Sequence, residues 1–202
     1  MDADAVEIRV LGSLIEKQRT TPDVYPLSLN ALRLACNQAT NRDPVVDLDE
    51  PQIRAALERL SRKGWTRLAS GPGGRVAKYR HLLDEALGLV PSQSALLAVL
   101  MLRGAQTPGE LKGRTERLYP FASLDDVQRT LDELMARELV ARLPRRPGQK
   151  EERFVQLLGG EAATGDTARS PQPATPAPAL EKRVARLEEE VVELRRALDE
   201  LR

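Results

Sequence analysis

The chain has 202 residues, enough for two small domains and a tail, and its 31 Lys+Arg stand against 30 Asp+Glu. That balance argues against a wholesale polyanion binder and confines any nucleic-acid surface to a local patch. Aromatic residues are only 3% of the chain, so its cores must be built from Leu, Val and Ala, and the single cysteine, Cys36, excludes an intrachain disulfide and a Cys-based metal site.

The acidic start Met1-Asp2-Ala3-Asp4 carries no apolar signal core. No run approaches the ~20 apolar residues of a membrane span, so a soluble cytoplasmic protein is expected. Val6, Val10, Leu11 and Leu14 recur at helical spacing and predict a first helix. A second helix is expected over 28–37. Asp49 with Gln52 supplies the start signal of a third. Two β runs follow, 65–70 and 75–80, joined by Gly71-Pro72-Gly73-Gly74, which reads as a hairpin tip.

The same order then recurs. Leu96, Leu97, Val99 and Leu100 predict a helix, and Thr107-Pro108-Gly109-Glu110 forms a capping box that starts the next. Ser123 with Asp126 opens a third. Runs at 139–143 and 153–157 make a second hairpin, joined by 144–152. Residue pairs match between the copies. Leu11, Leu14 and Thr21-Pro22 align with Leu97, Leu100 and Thr107-Pro108. Ile53, Leu57 and Leu60 align with Val127, Leu131 and Leu134. Trp65 aligns with Leu139, Lys78-Tyr79 with Arg153-Phe154, and Leu82-Leu83 with Leu157-Leu158. A spacing of roughly 74 to 86 residues is a domain duplication and not a solenoid. The drift in spacing is assigned to a longer loop at 40–48 in the first copy.

Three helices and a hairpin, twice, is the plan of two tandem winged helix-turn-helix domains. The fold expected is mainly α with small β-hairpin wings: domain 1 over 1–86 and domain 2 over 87–159. A flexible linker at 160–179 holds Pro171, Pro173, Pro176 and Pro178. A C-terminal coiled coil occupies 180–202.

Three blocks carry a family resemblance. The first is Leu14-Ile15-Glu16-Lys17-Gln18 with Thr20-Thr21-Pro22 and Tyr25-Pro26-Leu27-Ser28. The second is Ala35-Cys36-Asn37-Gln38 with Asn41-Arg42-Asp43-Pro44-Val45. The third runs from Arg103 through Gly104-Ala105-Gln106-Thr107-Pro108-Gly109-Glu110 to Leu111. Together they resemble the YceH-like family of uncharacterised bacterial proteins, over residues 6–158. The resemblance implies a tandem winged-helix fold in a bacterial cytosol. It implies no activity and no functional residues.

No catalytic constellation is expected, and no cofactor or metal. His81, the only histidine, follows a wing strand and reads as a strand-end residue rather than a general base. Cys36 shares an apolar helix stripe with Leu32 and reads as a small buried residue rather than a reactive thiol. The glycine-rich segment at 71–74 lacks the Lys and Ser/Thr of a phosphate loop.

In helix-turn-helix proteins the later helix enters the major groove. Projected at 100° per residue, Ile53, Ala56, Leu57 and Leu60 of the third helix face inward. The outward side carries Pro51, Ala55, Glu58 and Arg62, flanked by Gln52, Arg54 and Arg59, with Lys63 at its end. Arginines and a glutamine there can meet phosphates and base edges. In the second copy Val127, Leu131, Leu134 and Met135 face inward. The outward side (Asp125, Arg129, Asp132, Ala136, with Asp126 and Glu133) is acidic on balance and would repel phosphates. Wing one carries Arg75, Lys78 and Arg80. Wing two carries Arg145, Arg146, Lys150 and Arg153, diluted by Glu151 and Glu152. Each wing reads either as a phosphate clamp or as a solvated hairpin tip. Asn30, Asn37, Gln38, Asn41 and Arg42 cluster around the second helix and its loop, as turn-forming residues or as ligand contacts.

Leu180, Val184, Leu187, Val191, Leu194, Leu198 and Leu201 alternate by four and three residues. Val or Leu at a with Leu at d favours a parallel dimer, and Arg183–Glu188 and Glu190–Arg195 would be attractive g–e pairs. A helix packed back on its own domains, an antiparallel pair and a higher assembly are the alternatives. The function expected is therefore a non-enzymatic, dimeric binder of double-stranded DNA, a transcriptional regulator reading through helix 3 and the wing of domain 1. The competing reading is a protein–protein adaptor that does not touch DNA.

Overall fold

Helix α1 (Ala5–Thr20) begins where Asp4 and Glu7 close a reciprocal cap. The Asp4 carboxylate accepts from the Glu7 amide, and the Glu7 carboxylate accepts from the Asp4 amide, each at 2.8 Å. The computed structural model describes residues 3–69, 76–145 and 151–159, all within one compact unit. A 3-10 turn (Pro22–Val24) leads from α1 to strand β1 (Leu27–Ser28) and helix α2 (Leu29–Cys36), capped by Ser28. Helix α3 (Glu50–Arg62) opens on the Asp49–Gln52 capping box, and strands β2 (Thr66–Leu68) and β3 (Lys78–His81) follow. The three strands form one antiparallel sheet in the order β1-β3-β2, with Tyr79 of β3 opposite both Leu27 and Leu68.

A short helix α4 (Leu83–Leu87) ends at Gly88 in the left-handed region, φ +58. Then come α5 (Pro91–Arg103), α6 (Pro108–Thr115) with its Thr107–Glu110 capping box, and α7 (Leu124–Ala136) capped by Ser123. Strands β4 (Val140–Leu143) and β5 (Arg153–Gln156) pair antiparallel. The described residues are thus mainly helical, with seven α-helices and two small antiparallel strand groups.

The two halves repeat down to single hydrogen bonds. Trp65 N donates to Leu60 O, and Leu139 N to Leu134 O. Leu82 N donates to Trp65 O, and Leu157 N to Leu139 O. Even β1 has a counterpart: Gln106, just before the α6 cap, bridges Phe154 of β5 as Leu27 pairs with Tyr79 of β3. The caps refine the expected alignment. Ser28, not Thr21, stands where Thr107 stands. Thr21-Pro22 instead starts the 3-10 turn, which places an insertion there as well as in the loop between α2 and α3. In the second copy's third helix Thr130 is buried with Val127, Leu131 and Leu134, while Met135 is only half-buried.

One continuous apolar core runs through both halves. Helix α1 is buried on several sides at Ile8, Val10, Leu11, Leu14 and Ile15, because it packs against α2 and α3 and also, most extensively, against α5. Gly12 permits that approach. A Cβ there would lie 2.9 Å from Met101 Cβ and 3.0 Å from Leu102 Cγ. Among the described residues no helix is long and apolar enough to cross a membrane. The hairpin tip 71–74, Arg75, Arg146, Lys150, the linker 160–179 and the seam residues Leu180, Val184, Leu187, Val191, Leu194, Leu198 and Leu201 lie outside the described residues.

Candidate nucleic-acid interface

Helix α3 buries Ile53, Ala56, Leu57 and Leu60 and leaves Glu50, Pro51, Gln52, Arg54, Glu58 and Arg62 exposed. Its basic residues divide into two groups. Arg59 Nη2 lies 2.5 Å from Asp4 Oδ2, and its Nε lies 3.7 Å from Glu7 Oε2. Lys63 Nζ lies 2.8 Å from Glu7 Oε1 and 5.7 Å from the centre of the Trp65 ring. The Glu7 side chain is only 3% exposed, so it needs these cations to offset its desolvation. Arg59 and Lys63 therefore pin α3 to the start of α1. Arg54 and Arg62 have no carboxylate partner among the described residues; Arg62 Nε reaches only the Glu58 carbonyl, at 3.4 Å. Gln52 Oε1 is engaged by the Asp49 amide at 2.9 Å, which leaves the carboxamide nitrogen for an outside acceptor.

On the hairpin, Lys78 is exposed. Arg67 of β2, which sequence reasoning passed over, is exposed and stands directly opposite Arg80. Like charges directly opposite on a sheet destabilise it. Arg80 is offset by Glu85 at 3.0 Å, and Arg67 has no such partner among the described residues. The signal available in the sequence was the place of Arg67 inside the expected first β run of the wing, where Thr66 is buried and Arg67 and Leu68 are exposed. On the second hairpin Arg145 lies 3.6 Å and Arg142 3.1 Å from Glu152. Helix α7 exposes Asp125, Arg129, Asp132 and Glu133, with Arg129 paired to Asp126 at 3.0 Å.

The other singled-out residues are engaged in the fold. His81 ends β3 and is buried. Its Nε2 lies 2.6 Å from Gln18 Oε1, and its amide donates to Tyr25 Oη at 2.8 Å. Burial holds the imidazole below its ordinary value, so it is neutral at pH 7 and donates Nε2–H to Gln18. Burial also pushes the Tyr25 phenol up to about 12. Cys36 is fully buried, and burial pushes its thiol up to about 11. Arg42 is buried in the loop. It grips both Glu16 oxygens, at 3.1 and 2.5 Å, and the Ala35 carbonyl and Gln38 Oε1. Asn37 clasps Leu48 through both its donor and its acceptor. These two polar residues organise the α2–α3 loop.

The family described as "Protein of unknown function, DUF480" matches residues 3–149. The chain belongs to the DUF480 family. The chain is 54% identical over 190 residues to a "UPF0502 protein" of Geotalea daltonii, covering 92% of this chain and 86% of that one. It is 51% identical over 201 residues to one of Pelobacter propionicus, covering 97% and 91%. A third, from Solibacter usitatus, is 47% identical over 199 residues, covering 98% and 96%. This is the uncharacterised bacterial family that the sequence blocks resemble.

Proposed function

We propose that this DUF480 member is a non-enzymatic DNA-binding protein, a transcriptional regulator built from two winged helix-turn-helix modules. It reads duplex DNA through α3 and the β2–β3 hairpin of its first half. One observation carries the reading. The order α1–β1–α2–α3–β2–β3 with a β1-β3-β2 sheet supports a winged-helix reading, and its third helix presents Arg54 and Arg62 without carboxylate partners among the described residues. Lys78 and Arg67 supply the wing's phosphate contacts. The heptad pattern of the sequence at 180–202 supports a parallel homodimer, which would set two such readers on two half-sites. The copies are unequal, since the outward face of α7 repels phosphates.

The test is a salt series of binding to mixed duplex DNA, read by fluorescence anisotropy. Log affinity falls linearly with log salt, by about 0.9 for each neutralised phosphate. The double variant Arg54→Ala, Arg62→Ala removes two contacts from each protomer, weakens binding and lowers that slope by roughly 4 for the dimer. No binding at low salt, or a slope untouched by the variant, would sink the reading. The adaptor reading is favoured by one observation, the acidic outward face of α7 with Asp125, Asp132 and Glu133 exposed. It predicts a protein partner lost on charge reversal at Asp132 and Glu133.

A further inference from the structure

A cleft of about 420 Å³ opens between α1, the loop after α2, α5 and α6. Its size falls within the range of small-molecule sites. Helix α3 and the β2–β3 hairpin contribute nothing to its lining, so it is distinct from the DNA face proposed above. Val99, Leu102 and Leu118 form its apolar part.

Its charges are unbalanced. Glu16 lines the cleft, but both of its carboxylate oxygens are taken by the buried Arg42 guanidinium. Arg114 is paired with Glu110 at 3.2 Å. Lys17 is paired with Glu16, and the exposed Glu116 also lines the cleft, so four cations stand against two carboxylates. Of the cations, Arg103 and Arg117 have no carboxylate partner among the described residues. The Arg103 guanidinium donates to the neutral Asn41 carboxamide, and this fixes its position. Burial, then the positive charges of Arg114 and Arg42, lower its pKa, opposed more weakly by the carboxylates of Glu16 and Asp43. A cation held among cations in a concave site is where an anion gains most. Thr20 and Thr21 line the same cleft, with hydroxyls that donate to helix carbonyls and keep lone pairs to accept ligand hydroxyls.

We infer that this cleft binds a small organic anion with two or more negative charges, a phosphate ester or a polycarboxylate, held between Arg103 and Arg117. Both ligand groups match the planar donor fork of arginine. The site draws its lining from both halves of the duplication, so its occupant bridges them.

The experiment is calorimetric titration of the full chain with ribose 5-phosphate and with citrate at about 0.15 M salt, with ribose as the uncharged control. Saturable binding of one or both anions, and none of ribose, is the expected result. Which anion binds assigns the chemical class. Arg117→Ala, at an exposed position, weakens binding by about tenfold, the scale of one charge-assisted hydrogen bond. Arg103→Gln does the same. Arg129→Ala on α7 changes it less than about twofold. If Arg103→Gln fails to fold by circular dichroism, Arg117→Ala decides alone. The inference is overturned if neither anion binds, or if binding is as tight in the Arg117→Ala protein as in the parent.

Discussion

Gly12→Ala separates two physical effects of opposite sign. At an interior helix position alanine gains about 0.8–1.0 kcal/mol over glycine from propensity alone. At Gly12 the added carbon would sit 2.9 Å from Met101 Cβ and 3.0 Å from Leu102 Cγ. Ordinary carbon contacts are about 3.5–4.0 Å, so the methyl intrudes by roughly 0.5–1 Å. Met101 Cβ is attached to the α5 backbone and no rotamer change moves it, so the two helices must part. Overpacking of this kind costs about 1–3 kcal/mol. The net expectation is a loss of up to about 2 kcal/mol, centred near 1 kcal/mol, read as a lower urea midpoint at unchanged slope. Gly113 of α6 is the matched control, because nothing lies within 4 Å of its added Cβ. Gly113→Ala should gain about 0.5–1 kcal/mol. If Gly12→Ala is stabilised like Gly113→Ala, the close approach of α1 to α5 is wrong.

Glu138 occupies the left-handed position after α7, φ +55, where its counterpart after α3 is Gly64, φ +73. Glu138→Gly should raise stability by about 0.5–1 kcal/mol and the melting temperature by a few degrees; an unchanged or lower melting temperature would count against the assignment. Replacing both Arg59 and Lys63 by Ala strands the buried Glu7 carboxylate and should cost about 2 kcal/mol in urea unfolding. The Arg54→Ala, Arg62→Ala pair should leave that midpoint within about 0.5 kcal/mol. Because burial lowers the His81 pKa, the unfolded chain takes up the proton first. The stability tied to neutral His81 is present above about pH 6.5 and is lost as pH falls through the folded value. Urea midpoints between pH 5 and 8 should show this acid limb in the parent and lack it in His81→Gln; identical limbs refute the assignment. The Cys36 thiol, buried and raised to about 11, should resist a disulfide reagent at pH 8 until urea unfolds the chain.

What was legible in the sequence was local. The caps Asp49, Thr107 and Ser123 reach backbone only three residues away, so spacing alone announces them, whereas the Ser28 cap emerged only from the structure. The buried stripe of α3 followed from helical period for the same reason. Strand β1 was missed because two residues carry no pattern and their partner β3 lies some fifty positions on. Helix α4 was missed because five residues are too few to show a period. The candidate interface was half legible. The arc of basic residues was visible, but the engagement of Arg59 and Lys63 by Asp4 and Glu7 depends on a contact spanning more than fifty residues. The cleft was not legible at all, because its walls come from four segments that only the packing of α1 on α5 brings together.

That packing joins the opening helix of one copy to the opening helix of the other. An element set against its own equivalent is what a two-fold axis produces when identical subunits pair. Here the chain holds both partners, so the association does not depend on concentration and cannot be undone by dilution. It also releases the copies from identity. In a true homodimer any substitution appears on both sides of the seam at once, whereas here Gly12 can stand where its counterpart is Ala98, and the outward faces of α3 and α7 can drift apart in charge, one balanced and one acidic, while the seam stays intact.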